Sequence, residues 1–139
     1  MAFPAKAEIM LADVTWRSKK NVETIGELDA VLDAISREVS PERPQAVDIG
    51  RANGDCLTLV IGAKSGCILN FVAASGDPPY FASVGDPAAE GVFTFFVAED
   101  HHSEAPAWQV VSHADARQAV HEFVSLPSGL PRAVTWCMT

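Results

Sequence analysis

The sequence predicts an α+β domain, an antiparallel meander sheet with two helices packed on it, in the order β-α-β-β-β-β-β-α-β. Three observations carry this. Two segments place apolar residues at helical spacing directly behind a capping residue. Between them lie five short apolar runs divided by Gly, Pro, Asn and Asp turns. The connections between those runs are too short for crossover helices, so neighbouring strands must run antiparallel.

Residues 7–12 read as a first strand, with Ile9, Met10 and Leu11 apolar. Thr24 with Glu27 then forms a capping box. Ile25, Leu28, Val31, Leu32 and Ile35 make one apolar stripe behind it, and Pro41 and Pro44 close the segment, so a helix is expected over residues 25–38. Residues 46–51 lead into Asn53-Gly54, the pair favoured in a two-residue hairpin turn. Residues 55–62 return, and residues 67–73 form a mostly apolar, central strand. A short strand over 80–84 follows, and then residues 91–98. This last run, VFTFFVA from Val92, is apolar on both faces, which calls for a covering helix on one side. Residues 99–107 read as a polar loop and Trp108 to Val111 as a short extended piece. Ser112 caps a second helix with Asp115 at its third position, and Ala116, Val120, Phe123 and Val124 supply its stripe. Pro127, Gly129 and Pro131 stop it, and residues 133–138 form the last strand, carrying Trp136.

At 139 residues the chain fits one domain spanning 1–139. Its net charge of −8 argues against nucleic acid or an anionic membrane as a direct ligand. The start, MAFPAKAEIMLADVTWRSKK, has no apolar core behind a basic end, and no run approaches a membrane span, so the expected location is the cytoplasm. Cys56, Cys67 and Cys137 lack CxxC spacing and fall in strand-like runs, which argues against a disulfide scaffold or a metal site.

The charge is regional. From Ser65 to Ala116 there is no Lys or Arg, yet Asp77, Asp86, Glu90, Glu99, Asp100, Glu104 and Asp115 all fall there. The plain reading is a solvated face that keeps the protein soluble; the functional reading is a surface that steers a basic partner.

No sequence motif compels an enzyme. GxGxxG, P-loop, GxSxG and HExxH patterns and the zinc-deaminase pair are missing, and no cofactor is expected. His101, His102 and Glu104 could be imagined as the donors of a small enzyme or ligand-binding site, but adjacent histidines point to opposite faces of a strand, and a polar loop explains them as well. His113 and His121 flank the second helix and read as surface residues. Asp77 and Asp86 each precede proline, which turn chemistry explains.

Two stretches together resemble a known family. One is SGDPPYFASVGDP, residues 75–87, a turn, a short strand with Tyr80, and a second Gly-Asp turn. The other is ARQAVHEFVSLPSGLPRAVTW, residues 116–136, a helix, a Gly and Pro break and a strand reaching Trp136, with Pro106-Ala-Trp108 leading in. This order resembles immunity family one of bacterial polymorphic toxin systems over roughly residues 50–138. The helix exit, residues 125–131, carries one more proline than the shorter T-G-x-x-P type of exit. The resemblance implies a cytoplasmic protein that binds and silences a cognate toxin, often of the deaminase type, as a heterodimer, without catalytic residues of its own. It also gives the acidic run a purpose, since a nucleic-acid-modifying toxin needs a basic cleft. The expected toxin-binding residues are Asp77, Tyr80, Asp86, Glu90, Glu99, Asp100, His101, His102, Glu104 and Trp108. Their carboxylates have no basic neighbour in sequence, and Trp108 reads either as an anchor or as a core residue at a strand start. An adaptor for another basic protein is the third reading.

Overall fold

Thr24 and Glu27 start the first helix as their spacing requires. Glu27 N–H donates to Thr24 Oγ1 at 3.1 Å, and Glu27 Oε1 reaches back to accept from Glu23 N–H at 3.2 Å. In the computed structural model, which describes residues 11–139, this helix is α1, Ile25–Glu38. The expected first strand, residues 7–12, lies outside the described residues as far as residue 10. The described chain enters the sheet with β1, Ala12–Thr15, and β2, Lys19–Val22. After α1 come β3, Gln45–Arg51, β4, Cys56–Ile61, β5, Ile68–Val72, β6, Phe81–Val84, β7, Val92–Val97, and β8, His101–Pro106. A 3-10 turn at Ala107–Gln109, helix α2, His113–Ser125, and β9, Thr135–Met138, complete the chain.

The α+β class and the place of both helices among the strands agree with the sequence. Seven strands pair in the order β2-β1-β3-β4-β5-β6-β9, each antiparallel to its neighbour. The β7–β8 ribbon joins beside them through a parallel bridge from Phe96 to Gln45. Strand β2 escapes sequence reading because Lys19, Lys20 and Asn21 carry no apolar alternation. Strand β8 escapes because HHSEAP is a polar sequence on an exposed ribbon; it occupies most of the expected 99–107 loop.

Both helices pack on one face of the sheet. Leu28, Leu32 and Ile35 of α1 and Ala119, Val120 and Phe123 of α2 meet Val14, Val47, Ile49, Leu57, Leu59 and Leu69. Each fully buried Val, Leu, Ile or Phe among them contributes about 1.5–3 kcal/mol. Phe71 stands edge-on to Phe123, ring centroids 6.1 Å apart, and so ties β5 to α2. The expectation that a helix covers the strand at residues 91–98 is corrected by the opposite face. There Phe93, Phe95 and Ala105 of the ribbon pack on Val60, Ala63 and Ile68 of the sheet. The ribbon is covered by sheet, because both helices are already spent on the other side.

The β3–β4 turn also departs from expectation. It is a three-residue loop, with Gly54 N–H donating to Arg51 O and only Gly54 at positive φ, 96°. Asn53 is recruited instead by Asp55, accepting from its N–H at 2.9 Å and donating Nδ2 to its carboxylate at 2.9 Å. Asp55 itself is buried against Arg51, whose guanidinium also donates to Phe123 O and Gly129 O. One charged pair thus fixes the hairpin, the end of α2 and the loop behind it.

Candidate functional site

The segment from Ala107 to Val111 crosses the ends of β5 and β6 and is held there by main-chain hydrogen bonds and by the buried Ser83 hydroxyl, which donates to Gln109 O at 2.8 Å. Gly85 N–H donates to Trp108 O at 2.7 Å, Cys67 and Val111 exchange two hydrogen bonds, and Ala107 N–H donates to Gly91 O. The approach demands glycine. A Cβ on Gly85 would lie 1.7 Å from Val110 O, and one on Gly66 would lie 2.2 Å from Val111 O.

The bond from Gly85 N–H to Trp108 O joins this strap to the β6–β7 loop, which carries Asp86 and Glu90. Asp86 shapes that loop, its Oδ1 accepting from Ala88 N–H at 2.9 Å. Trp108 is half-buried and belongs to neither core cluster. It sits in a 3-10 turn and not at a strand start. Asp115, in the first turn of α2, shares a groove with Asp86, Ser112 and Thr135. Val92, 63% exposed at the start of β7, is an outward apolar residue just after the loop that carries Glu90. These two residues were missed as site candidates. Asp115 was accounted for as a capping residue, and Val92 as a strand residue, although its alternation with Phe93 already placed it outward.

The other expected residues fall into separate places. Asp77 and Tyr80 lie in the β5–β6 turn at the far end of β6, where Tyr80 Oη donates to Gly76 O at 2.9 Å. Glu99, Asp100 and His101 form the tip of the ribbon. Ala98 and Glu99 there adopt positive φ, 51° and 72°, and two arginines hold the turn. Arg17 Nε lies 2.6 Å from Glu99 Oε1, and Arg43 donates to Glu99 O at 3.0 Å and lies 3.5 Å from Asp100. Carboxylates without a basic neighbour in sequence thus have two in space. Arg17 is held above its ordinary value by its hydrogen bond to Glu99. His102 and Glu104 lie on the outer face of the ribbon, where His102 meets the Phe96 ring edge-on and Arg43 stacks on its face at 3.9 Å.

His101 alternates to the opposite face from His102 and Glu104, so these three side chains do not converge. Among the described residues no group of three His, Cys, Asp or Glu side chains is placed to hold a metal ion. His113 caps Ala63 O at 2.8 Å, and His121 meets Asp29 at 2.7 Å in the seam between the helices. Burial opposes charge on Asp29, but His121 and Arg117 outweigh it and hold the carboxyl below its ordinary range. Burial pushes the thiols of Cys56 and Cys67 up to about 11, which makes them poor nucleophiles near neutral pH.

Among the described residues, Asp77, Asp86, Glu90, Glu104 and Asp115 make no ion pair, and no helix is long and apolar enough to cross a membrane. The family model described as Immunity protein Imm1 matches residues 18–137. The chain belongs to the Imm1 family. Membership in Imm1 makes it an immunity protein directed against a toxin, and the match runs from the start of β2 into β9. Among curated proteins none matches the chain.

Proposed function

We propose that this Imm1 protein silences a cognate toxin by binding it, as a heterodimer and without chemistry of its own, in the cytoplasm where such a toxin acts. The toxin is of the nucleic-acid deaminase type, and an acidic surface fills its basic active-site cleft. The observation that supports this reading is the groove lined by Asp86, Asp115 and the strap residues Val110 and Val111, its carboxylates without an ion partner among the described residues, next to the half-buried Trp108 on the same strap. Unpaired carboxylates keep their charge for a partner, and an aromatic inside a charged rim is the composition of an interface anchor. Burial of the thiols and the divergence of His101 from His102 and Glu104 weigh against the small-enzyme reading.

Co-expression with the toxin encoded beside it should restore growth, and the two purified chains should co-elute. Growth rescue with no complex at any concentration would replace binding with an enzymatic mode of protection.

A further inference from the structure

Three strands of the described fold have one side without a neighbour: β2, β8 and β9. Two of them carry the usual guards against pairing with a foreign strand. Strand β2 presents Lys19 and Lys20, and β8 presents Glu104 and ends on Pro106. Strand β9 reads Thr135-Trp136-Cys137-Met138, with no charge and no proline.

The register shows what β9 offers. Thr139 N–H donates to Tyr80 O at 2.9 Å, one residue beyond the Met138–Phe81 pair. In the alternation of an antiparallel pair, Thr135, Cys137 and Thr139 therefore turn their N–H and C=O groups toward β6, and Trp136 and Met138 turn theirs away from it. Met138 is 70% exposed, so no described side chain covers that edge at its end.

Charge selects the occupant. The groove at the start of β9 is lined by Asp86, Asp115 and Thr135, and the turn at its far end carries Asp77, three residues before Tyr80. The nearest cation along the chain, Arg132, lines a different groove, with Glu122 and Ser125 to Leu130. A second copy would set acid against acid across this edge. A basic extended segment would meet carboxylates at both ends of the strand.

Resting on the reading above, we propose that β9 receives an extended, Lys- or Arg-flanked segment of the toxin as an added strand, hydrogen-bonded to Trp136 and Met138 and clasped by Asp86, Asp115 and Asp77. The groove of Asp86 and Asp115, which Thr135 of β9 also lines, then forms part of the same contact surface.

The probe is the purified toxin domain encoded beside this chain, in a catalytically inactive form. Amide exchange by NMR should show Trp136 and Met138 exchanging fast in the free protein and protected in the complex. Met138→Pro removes one outward N–H and leaves the bonds to β6, and it should weaken binding about tenfold, the loss expected from one or two hydrogen bonds. Met138→Ala, which keeps the N–H, should bind within about threefold of wild type. If Met138→Pro fails to fold, the exchange data on the wild-type protein decide. Amides of Trp136 and Met138 that stay unprotected in a stable complex overturn the added strand and leave the proposed function standing. A toxin domain that does not bind the wild-type chain overturns both. Protection of the same amides in the protein alone, with a dimeric mass, gives the edge to a second copy and overturns the occupant named here.

Discussion

The β3–β4 and β7–β8 hairpins both hold a carboxylate against an arginine, and the two arrangements do different work. At the first, Arg51 and Asp55 are almost wholly buried, and the guanidinium also serves two main-chain carbonyls of α2 and its exit loop. At the second, Arg17 and Glu99 are about half exposed and bridge surface elements. A buried pair cannot lose one member without stranding the other in an apolar site, whereas an exposed pair loses little because water replaces the partner. Pairing alone therefore says nothing of worth; burial decides it. A third class, the unpaired acids near Trp108, belongs to neither hairpin and is free to act on a partner.

Removing Asp55 tests the comparison most severely. Asp55→Ala should cost about 3–5 kcal/mol, as expected for a stranded buried arginine, and urea denaturation reads it directly. The pH dependence follows with a defined sign. Burial opposes charge on Asp55, but Arg51, Asn53 and the Ala74 N–H outweigh it, so the folded-state carboxyl lies below its ordinary value of 3.8. The stability it supplies is complete above that value and is lost as pH falls through the lower, folded one. Asp55→Asn should flatten this part of the acid limb. An unchanged urea midpoint for Asp55→Ala would put the two hairpins on the same footing.

Trp108→Ala comes next. It should speed dissociation of the toxin complex by the equivalent of about 2 kcal/mol while the free protein keeps its fold, since its ring lies outside both cores. Unfolding on this substitution would return the tryptophan to the core. Changing Asp86 to Asn and Glu90 to Gln together should slow association about tenfold at low salt and flatten its salt dependence, with dissociation less affected. Stopped-flow fluorescence at two ionic strengths measures both. The smallest effect belongs to the ribbon tip. Glu99→Gln should leave the urea midpoint unchanged, and with Asp100→Asn it should slow association less than the Asp86 and Glu90 pair does, because Arg17 and Arg43 already offset those charges. A tip variant that associates more slowly than the patch variant would reverse the assignment of the contact surface.

Much of the fold was legible because its signals are local. Thr24, Glu27 and the stripe from Ile25 to Ile35 fixed α1 to the residue, and Ser112 did the same for α2, whose first N–H groups it caps through Asp115 at 3.0 Å. Strands β2 and β8 were not legible, since KKNV and HHSEAP lie where only one side chain in four or six is buried. What covers β7 was not legible either, because VFTFFV requires an apolar cover but does not say whether helix or sheet supplies it. The acidic run could be counted in the sequence, but not its neutralisation. Arg17 is 82 positions from Glu99 and Arg43 is 56, distances at which only the fold makes neighbours. Trp108 and Asp86 were both singled out, but the strap between them rests on main-chain bonds and the Ser83 hydroxyl, contacts between positions far apart in the sequence.

That strap has a consequence for how such a protein can change over generations. The strap is suspended through its own main-chain N–H and C=O groups, which are the same whatever side chain stands at residues 107–111. Beneath it, Gly66 and Gly85 are bound to their identity by the lack of room, and Ser83 by the hydroxyl that donates to Gln109 O. The frame and its display surface are thus written in different letters. A lineage facing an altered adversary can rewrite the ring at 108 and the acids around it in single steps, while the scaffold that presents them stays untouched.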